Sequence, residues 1–492
     1  MTHAQATLLV PQDHPTIQGA ITAAVDGDTV LVSSGTYVEQ LDLLGKAITL
    51  RSAAGAATTT IDSQGLADWL DYPLGPVIRM VSGEGPSTVV EGFTITGGQT
   101  GASGTSGHAG VFCVGLSPTV RDCVITGNSG GDGGAVHGDA TLERCFLTDN
   151  DAMPYGRGGA VFGAPTMIDC VVTGNRSGDR GGGIYATAPC TILRTVIDSN
   201  IGGNGADGYT GGGVFGPATL IECQITRNTA YHYLSGGPPD EIGTAVDGAA
   251  ALLSCTIAGN RIGNPIAGFE DVAGAVQGSP VIENTILWDN QGGAFADFAA
   301  PVVSWSLVEG GWPGTGVISG DPLFVDPDSG VFELGLGSPA IDAGNPASPL
   351  DPDGTVADLG SLPFTQVAGS ATPRFGSGVN PACYTTGVAP ALGQVWSADV
   401  DVTQHGFSVG LTVVLATAQP VTLPTAFGEL LIDPALPVLL NSTAAPTGTS
   451  ATHAIPFPPD LAFVGVTVPT QAVVLGAAIG LCNALDLTLG TF

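Results

Sequence analysis

A chain of 492 residues with 43% hydrophobic content is long enough for two or three domains and too apolar for wholesale disorder. Its 12 basic residues stand against 44 acidic ones, a formal charge of −32, which argues against nucleic acid and anionic membrane surfaces as partners. No uninterrupted apolar run reaches the ~18 residues of a membrane span, and 75 glycines with 35 prolines suit a fold rich in turns.

Ala4, Gln5 and Ala6 match the A-x-A form of a signal-peptide cleavage site, without the charged and apolar regions that precede one, so a secreted protein is expected. The segment TLLVPQDHPTIQGAITAAVDGDTVLVSSGTY then reads as strand, short helix and strand. Pro15 opens the helix after Asp13 and His14, and Ile17, Ala20, Ile21 and Ala24 share one of its faces. Such a helix covers the open end of a solenoid.

From residue 119 onward one ten-residue phrase recurs seven times. Its copies are TVRDCVITGN, TLERCFLTDN, TMIDCVVTGN, TILRTVIDSN, TLIECQITRN, ALLSCTIAGN and VIENTILWDN, closing at Asn128, Asn150, Asn175, Asn200, Asn228, Asn260 and Asn290. Self-similarity at this period marks a solenoid. Three columns form its core: Cys123, Cys145, Cys170, Thr195, Cys223, Cys255 and Thr285; the aliphatic residues three before them; and those two after. The last two columns share one face of a strand, and the polar pair before the Cys/Thr column marks a bend. The asparagines are expected to form a ladder, each amide bonding to the next, with left-handed backbone angles tolerated there. The column cysteines are expected as buried small hydrophobes.

A second element precedes each strand pair and ends at Val136, Val161, Ile184, Val214, Val246 or Val276. From that residue to the next asparagine the spacing is 14, 14, 16, 14, 14 and 14; from each asparagine to the following aliphatic residue of this set it is 8, 11, 9, 14, 18 and 16. Length variation is thus confined to one turn of the coil, where repeat proteins usually bind their partners.

GDTVLVSSGTY, GKAITLRS and TTTIDSQG, followed by the asparagine-ended rungs, resemble the right-handed parallel β-helix proteins of the pectin-lyase-like class over residues 7–362. DPLFVDPDSGVFELGLGSPAIDAG with DPDGTVADLG is similar to the terminal cassette of many secreted bacterial β-helix proteins held at, or released from, the cell surface. The resemblance implies an all-β right-handed parallel β-helix at an extracellular location. Residues 363–382 read as a connector. Residues 383–492 read as a small antiparallel β-sandwich, from alternating stretches such as VWSADVDV and FSVGLTVVL. Cys383 and Cys482 bracket that region and are expected to form a disulfide.

The variable loops carry Tyr155, Tyr209, Tyr231 and Tyr233 and the arginines 157, 176, 180 and 261. The position after each second-element aliphatic residue must face outward, and it reads His137, Phe162, Tyr185, Phe215, Asp247 and Gln277. Phe162, Tyr185, Phe215 and the loop tyrosines, with Arg157, are candidates for stacking on and pairing with sugars of a polysaccharide or cell-surface glycan, unless the loops fold over them. Cleavage of a glycosidic bond needs two flanking carboxylates, for which Asp179, Asp207 and Asp247 are the candidates. Lyase chemistry needs a base beside a neutralised uronate, for which Arg180 or His137 is placed. The Asp-pair and lysine–arginine signatures of the known β-helix hydrolases and lyases are absent, which favours a structural or carbohydrate-binding protein over an enzyme; self-association as a surface layer is a further alternative. Asp351, Asp353 and Asp358 surround a glycine turn and offer oxygen ligands for Ca²⁺, or cap that turn without metal. No motif for an organic cofactor occurs.

Overall fold

The protein is described by a computed structural model covering residues 5–64, 75–99, 110–152, 155–203, 211–231, 242–263, 273–296 and 299–492. It divides into two compact units, Met1–Asp351 with Thr355–Pro363, and Pro352–Gly354 with Phe364–Phe492.

The first unit is a parallel β-helix. Val120 pairs in register with Leu142, and the row continues through Met167, Ile192, Leu220 and Leu252 to Ile282. A second row runs from Ile125 through Leu147, Val172, Ile197, Ile225 and Ile257 to Leu287. The third runs from Val111 through Val136, Val161, Ile184, Val214 and Val246 to Val276. Every one of these side chains is fully buried, so the three columns meet inside the coil as one continuous core. Among the described residues the three faces hold 12, 11 and 9 strands, and a strip of five short strands, Asp151–Ala152 to Arg261–Gly263, follows the asparagines.

Two backbone kinks per rung turn the chain between faces. Asp122, Arg144, Asp169, Arg194, Glu222, Ser254 and Asn284, each just before the Cys/Thr column, adopt φ of 45–55°. The residue before each asparagine is left-handed too, at φ of 52–68°, as Asp149, Ser199, Arg227 and Asp289 or as a glycine. The left-handed position is therefore the asparagine's predecessor, not the asparagine. The reason is the hydrogen bonding that the asparagine itself must complete.

Each asparagine is at most 6% exposed. The Asn128 amide donates to Asn150 Oδ1 at 3.0 Å, and the same bond repeats to Asn175, Asn200, Asn228, Asn260 and Asn290 at 2.8–3.1 Å. The same oxygen accepts the preceding asparagine's backbone N–H at 2.9–3.2 Å. The second amide hydrogen serves carbonyls at the ends of the neighbouring strands, such as Ile125 O for Asn150 and Val172 O for Asn200. A buried carboxamide is thereby satisfied on every side.

The Cys/Thr column solves the same problem at the other bend. Cys145, Cys170, Cys223, Cys255 and Thr285 donate to the carbonyls of Val120, Leu142, Ile192, Leu220 and Leu252, one rung back, at 3.2–3.5 Å. The thiols are free. Burial pushes that of Cys123 up to about 12. Outside, Arg121, Arg144 and Arg194 pair with Glu91, Asp122 and Asp169 at 2.6–2.7 Å, again one rung back. Such exposed pairs contribute about 0.2–1 kcal/mol each.

The helix Ile17–Ala23 caps the first rung, with Ile17, Ala20, Ile21 and Ala24 buried. Thr16 caps its start by accepting from Gly19 N, and the Glu39 carboxylate receives the Ile17 and Gln18 amides at 2.9 Å. Lys46, the chain's sole lysine, donates to the carbonyls of Ile21, Thr22 and Ala24 at the other end, each at 2.7 Å. Acid at the N-terminus and base at the C-terminus both oppose the helix dipole.

The second unit is antiparallel throughout its paired strands. Its largest sheet orders Ser370–Arg374, Ile479–Thr488, Thr467–Gly476, Val409–Ala416 and Leu440–Ala444. The expected connector, 363–382, thus contributes an edge strand to the second unit. Cys383 and Cys482 are joined as a disulfide, both fully buried. No helix among the described residues is long and apolar enough to cross a membrane.

Replacing Asn200 by Ala strands the Asn175 donors and the Val172 carbonyl, so thermal and denaturant unfolding of the first unit should show a loss of at least about 2 kcal/mol. Lys46→Met removes three charge-assisted bonds at the cap and should cost about 1.5–3 kcal/mol in the same measurement, with increased hydrogen exchange in residues 17–24.

Candidate functional site

The third face carries the outward column foreseen in the sequence. His137 pairs with Phe162, Phe162 with Tyr185, Tyr185 with Phe215, Phe215 with Asp247 and Asp247 with Gln277. One residue extends it that the sequence reading missed: Phe112, opposite His137. Val111 stands 17 residues before Asn128, against 14 or 16 in the later copies, so the spacing gave no reason to align VFC with them.

Parallel pairing puts equivalent side chains one rung apart, and the rings respond by stacking on each other. Centroids lie 5.3, 4.9, 5.2 and 4.9 Å apart from Phe112 to Phe215, and the last two pairs are near-parallel at 21° and 19°. The consequence for recognition is direct. Tyr185 has a ring against each of its faces, and the column is half-buried, so its edges rather than its faces meet solvent.

Two arginines cross this column. The Arg157 guanidinium lies 4.6 Å from the Phe162 centroid and 5.2 Å from that of Tyr185, and Arg180 lies 5.2 Å from Phe215. Arg157 also grips Asp132 through Nε and Nη2 at 3.1 and 2.6 Å, and its own amide donates to the same carboxylate at 2.9 Å. That hydrogen bonding raises the Arg157 pKa further. Asp132 is 3% exposed, so the pair is a buried ion pair at its acidic end.

The remaining candidates are held locally. His137 Nδ1 contacts the Asp132 carbonyl at 3.0 Å, and burial lowers its pKa, favouring the neutral imidazole. Asp179 lies 3.7 Å from Arg180. Asp247 is buried in the column beyond Phe215. Tyr155 is 71% exposed at a loop tip. Tyr231 lies away from the column, in the short strip strand Thr229–Tyr231. Asp207, Tyr209 and Tyr233 lie outside the described residues.

The three aspartates considered for calcium each accept a backbone amide: Asp351 from Asp358, Asp353 from Gln366 and Asp358 from Asp342, all at 2.7 Å. Each is thus tied to the backbone through one of its carboxylate oxygens. Among the described residues the one trio of Asp, Glu, His or Cys ligand atoms lying within 4.8 Å of one another is Cys383, His405 and Cys482, whose sulfurs are already joined in the disulfide.

A second concavity, on a different face, was not foreseen. A cleft of about 580 Å³ lies where the second face turns at the asparagines, lined by Arg227, Arg261, Trp288 and Asp289 from the rungs and by the segment Asp321–Phe332. Its one sequence signal was a tryptophan at an outward position of the last copy, VIENTILWDN.

The fold places the chain among parallel β-helix solenoid proteins. Neither a protein-family model nor a curated protein matches its sequence.

Arg157→Ala leaves the Asp132 carboxylate buried without its counter-charge and should destabilise the first unit by about 3 kcal/mol. Tyr155→Ala, at an exposed tip, should stay within about 0.5 kcal/mol of the parent, and paired thermal melts check both.

Proposed function

We propose that this chain is a secreted or cell-surface β-helix with a structural role, a scaffold that does not cleave polysaccharide. One observation carries the reading: among the described residues, the rings, the arginines and His137 of the outward column are engaged within the protein. Ring faces cover ring faces, Arg157 neutralises Asp132, Arg180 stands beside Asp179, and His137 is tied to a backbone carbonyl. A general acid, base or uronate-binding arginine must instead be free to meet substrate in the reacting geometry.

The disulfide supports the extracellular location. A glycan-binding reading of the same face draws on the exposed Tyr155 ring and on Arg157, which stands over the column edge. It needs contacts to ring edges and loop tips, because the inner faces are taken.

The decisive experiment incubates the protein with panels of acidic and neutral polysaccharides, following reducing ends and unsaturated uronate absorbance together with retention on the insoluble polymers. No cleavage is expected with any polymer. Cleavage that disappears in Asp179→Asn, Asp247→Asn or Arg180→Gln would establish the enzyme and overturn the scaffold reading. Retention abolished by Tyr155→Ala without cleavage would instead place glycan binding on the loop face.

A further inference from the structure

The cleft on the second face combines three features that the outward column lacks. First, it is a half-open cleft larger than the hollow of about 200 Å³ beside His137 and Phe162. At about 580 Å³ it falls within the range of small-ligand sites. Ala258 and Gly259 are part of its lining, and Gly259 has φ +68°, a left-handed turn position. Its far wall is the antiparallel hairpin of Phe324–Asp326 and Val331–Leu334, closed by a turn in which Asp326 accepts the Ser329 amide. The hairpin belongs to the same unit as the rungs it covers.

Second, the aromatic groups are arranged differently. Trp288 stands at the outward position of the strand Ile286–Trp288, half-buried, and no ring is stacked on it among the described residues. Phe324 and Phe332 meet edge to face, 5.3 Å apart at 85°, so Phe332 buttresses the partly exposed Phe324. Both Trp288 and Phe324 line the cleft.

Third, the polar rim has a defined charge. Arg227 is held by Asp198 through Nε and Nη2 at 2.8 and 2.7 Å, and Arg261 by Asp289 at 2.6 Å. With both cations balanced, Asp321 and Asp328 remain as a local excess of two negative charges. Phosphates, sulfates and uronates are therefore disfavoured, on a chain that already carries −32. A purely apolar ligand would desolvate this rim without replacing its hydrogen bonds. A neutral polyhydroxyl ring satisfies both demands. Its C–H face packs on indole, and its hydroxyls donate to carboxylates and accept from guanidinium N–H groups.

We infer that the Trp288 cleft is a binding site for a neutral sugar, a monosaccharide or the terminal disaccharide of a glycan. The site is separate from the outward column, and it stands or falls independently of the scaffold role. Trp288 supplies the stacking face, Asp321 and Asp328 the hydroxyl acceptors, and Arg227 and Arg261 the donors.

The test is calorimetric titration of the full chain with neutral mono- and disaccharides, galacturonate, inorganic phosphate and glucosamine. Saturable binding of at least one neutral sugar is expected, with galacturonate and phosphate at least tenfold weaker. Trp288→Ala should weaken binding tenfold or more and Trp288→Phe should largely restore it. Asp328→Asn, in an exposed turn where folding is not at stake, should weaken it several-fold. The proposal is overturned if no neutral sugar binds, if Trp288→Ala and Asp328→Asn both bind as the parent does, or if the anions or the amino sugar bind best.

Discussion

A carboxamide buried away from water must find partners for two hydrogens and an oxygen, and here it finds them in an identical carboxamide one rung away. The line from Asn128 to Asn290 is a row of such exchanges, each about 3 Å long. Because the oxygen also takes the backbone N–H before it, the ladder fixes the height of each rung as well as the side chain. The two kinks per rung, with non-glycine residues in left-handed geometry, carry a cost of roughly 1–3 kcal/mol each in isolation. They persist because the asparagine bonds on one side and the Cys/Thr donors on the other over-determine the turns between them.

Once rung height is fixed, everything pointing outward inherits it. Arginines find carboxylates one rung back, and aromatic side chains stack at about 5 Å whether or not a ligand calls for it. A regular outward column in a parallel coil is therefore a weak sign of a binding surface, since periodic stacking is the default response of rings at that spacing. The Trp288 cleft differs because it breaks the period. It exists where a hairpin from the far end of the coil folds back over the rungs, and the groups around it come from unrelated segments.

This contrast explains how far the sequence could be read. The core columns, their register, the capping helix and the disulfide were legible because each is a local or strictly repeated pattern: Val120 to Ile282 can be aligned by eye. The left-handed position was misassigned by one residue, because composition alone does not separate Asn150 from Asp149, both tolerant of that geometry. The strand Ser370–Arg374 was taken for connector, since SATPR carries a proline and no clear alternation. Phe112 was missed because its element lies 17 residues before the next ladder asparagine, outside the spacing of the later copies. The cleft was illegible for a deeper reason: nothing in the order of residues says that Phe324 and Trp288 become neighbours.

The ladder joins like to like, and that has a consequence for how such a chain can change over generations. An asparagine does not distinguish which rung lies above it, so a whole repeat can be duplicated or lost while the exchange closes across the seam. Only the ends are individual. At one stands the helix held by Glu39 and Lys46, and beside the last rungs runs the segment from Asn345 to Ser361, fastened to Asn284 and Thr256. The number of turns is then a quantity selection can adjust in whole steps, with reach as the trait altered and the terminal pieces carried along unchanged.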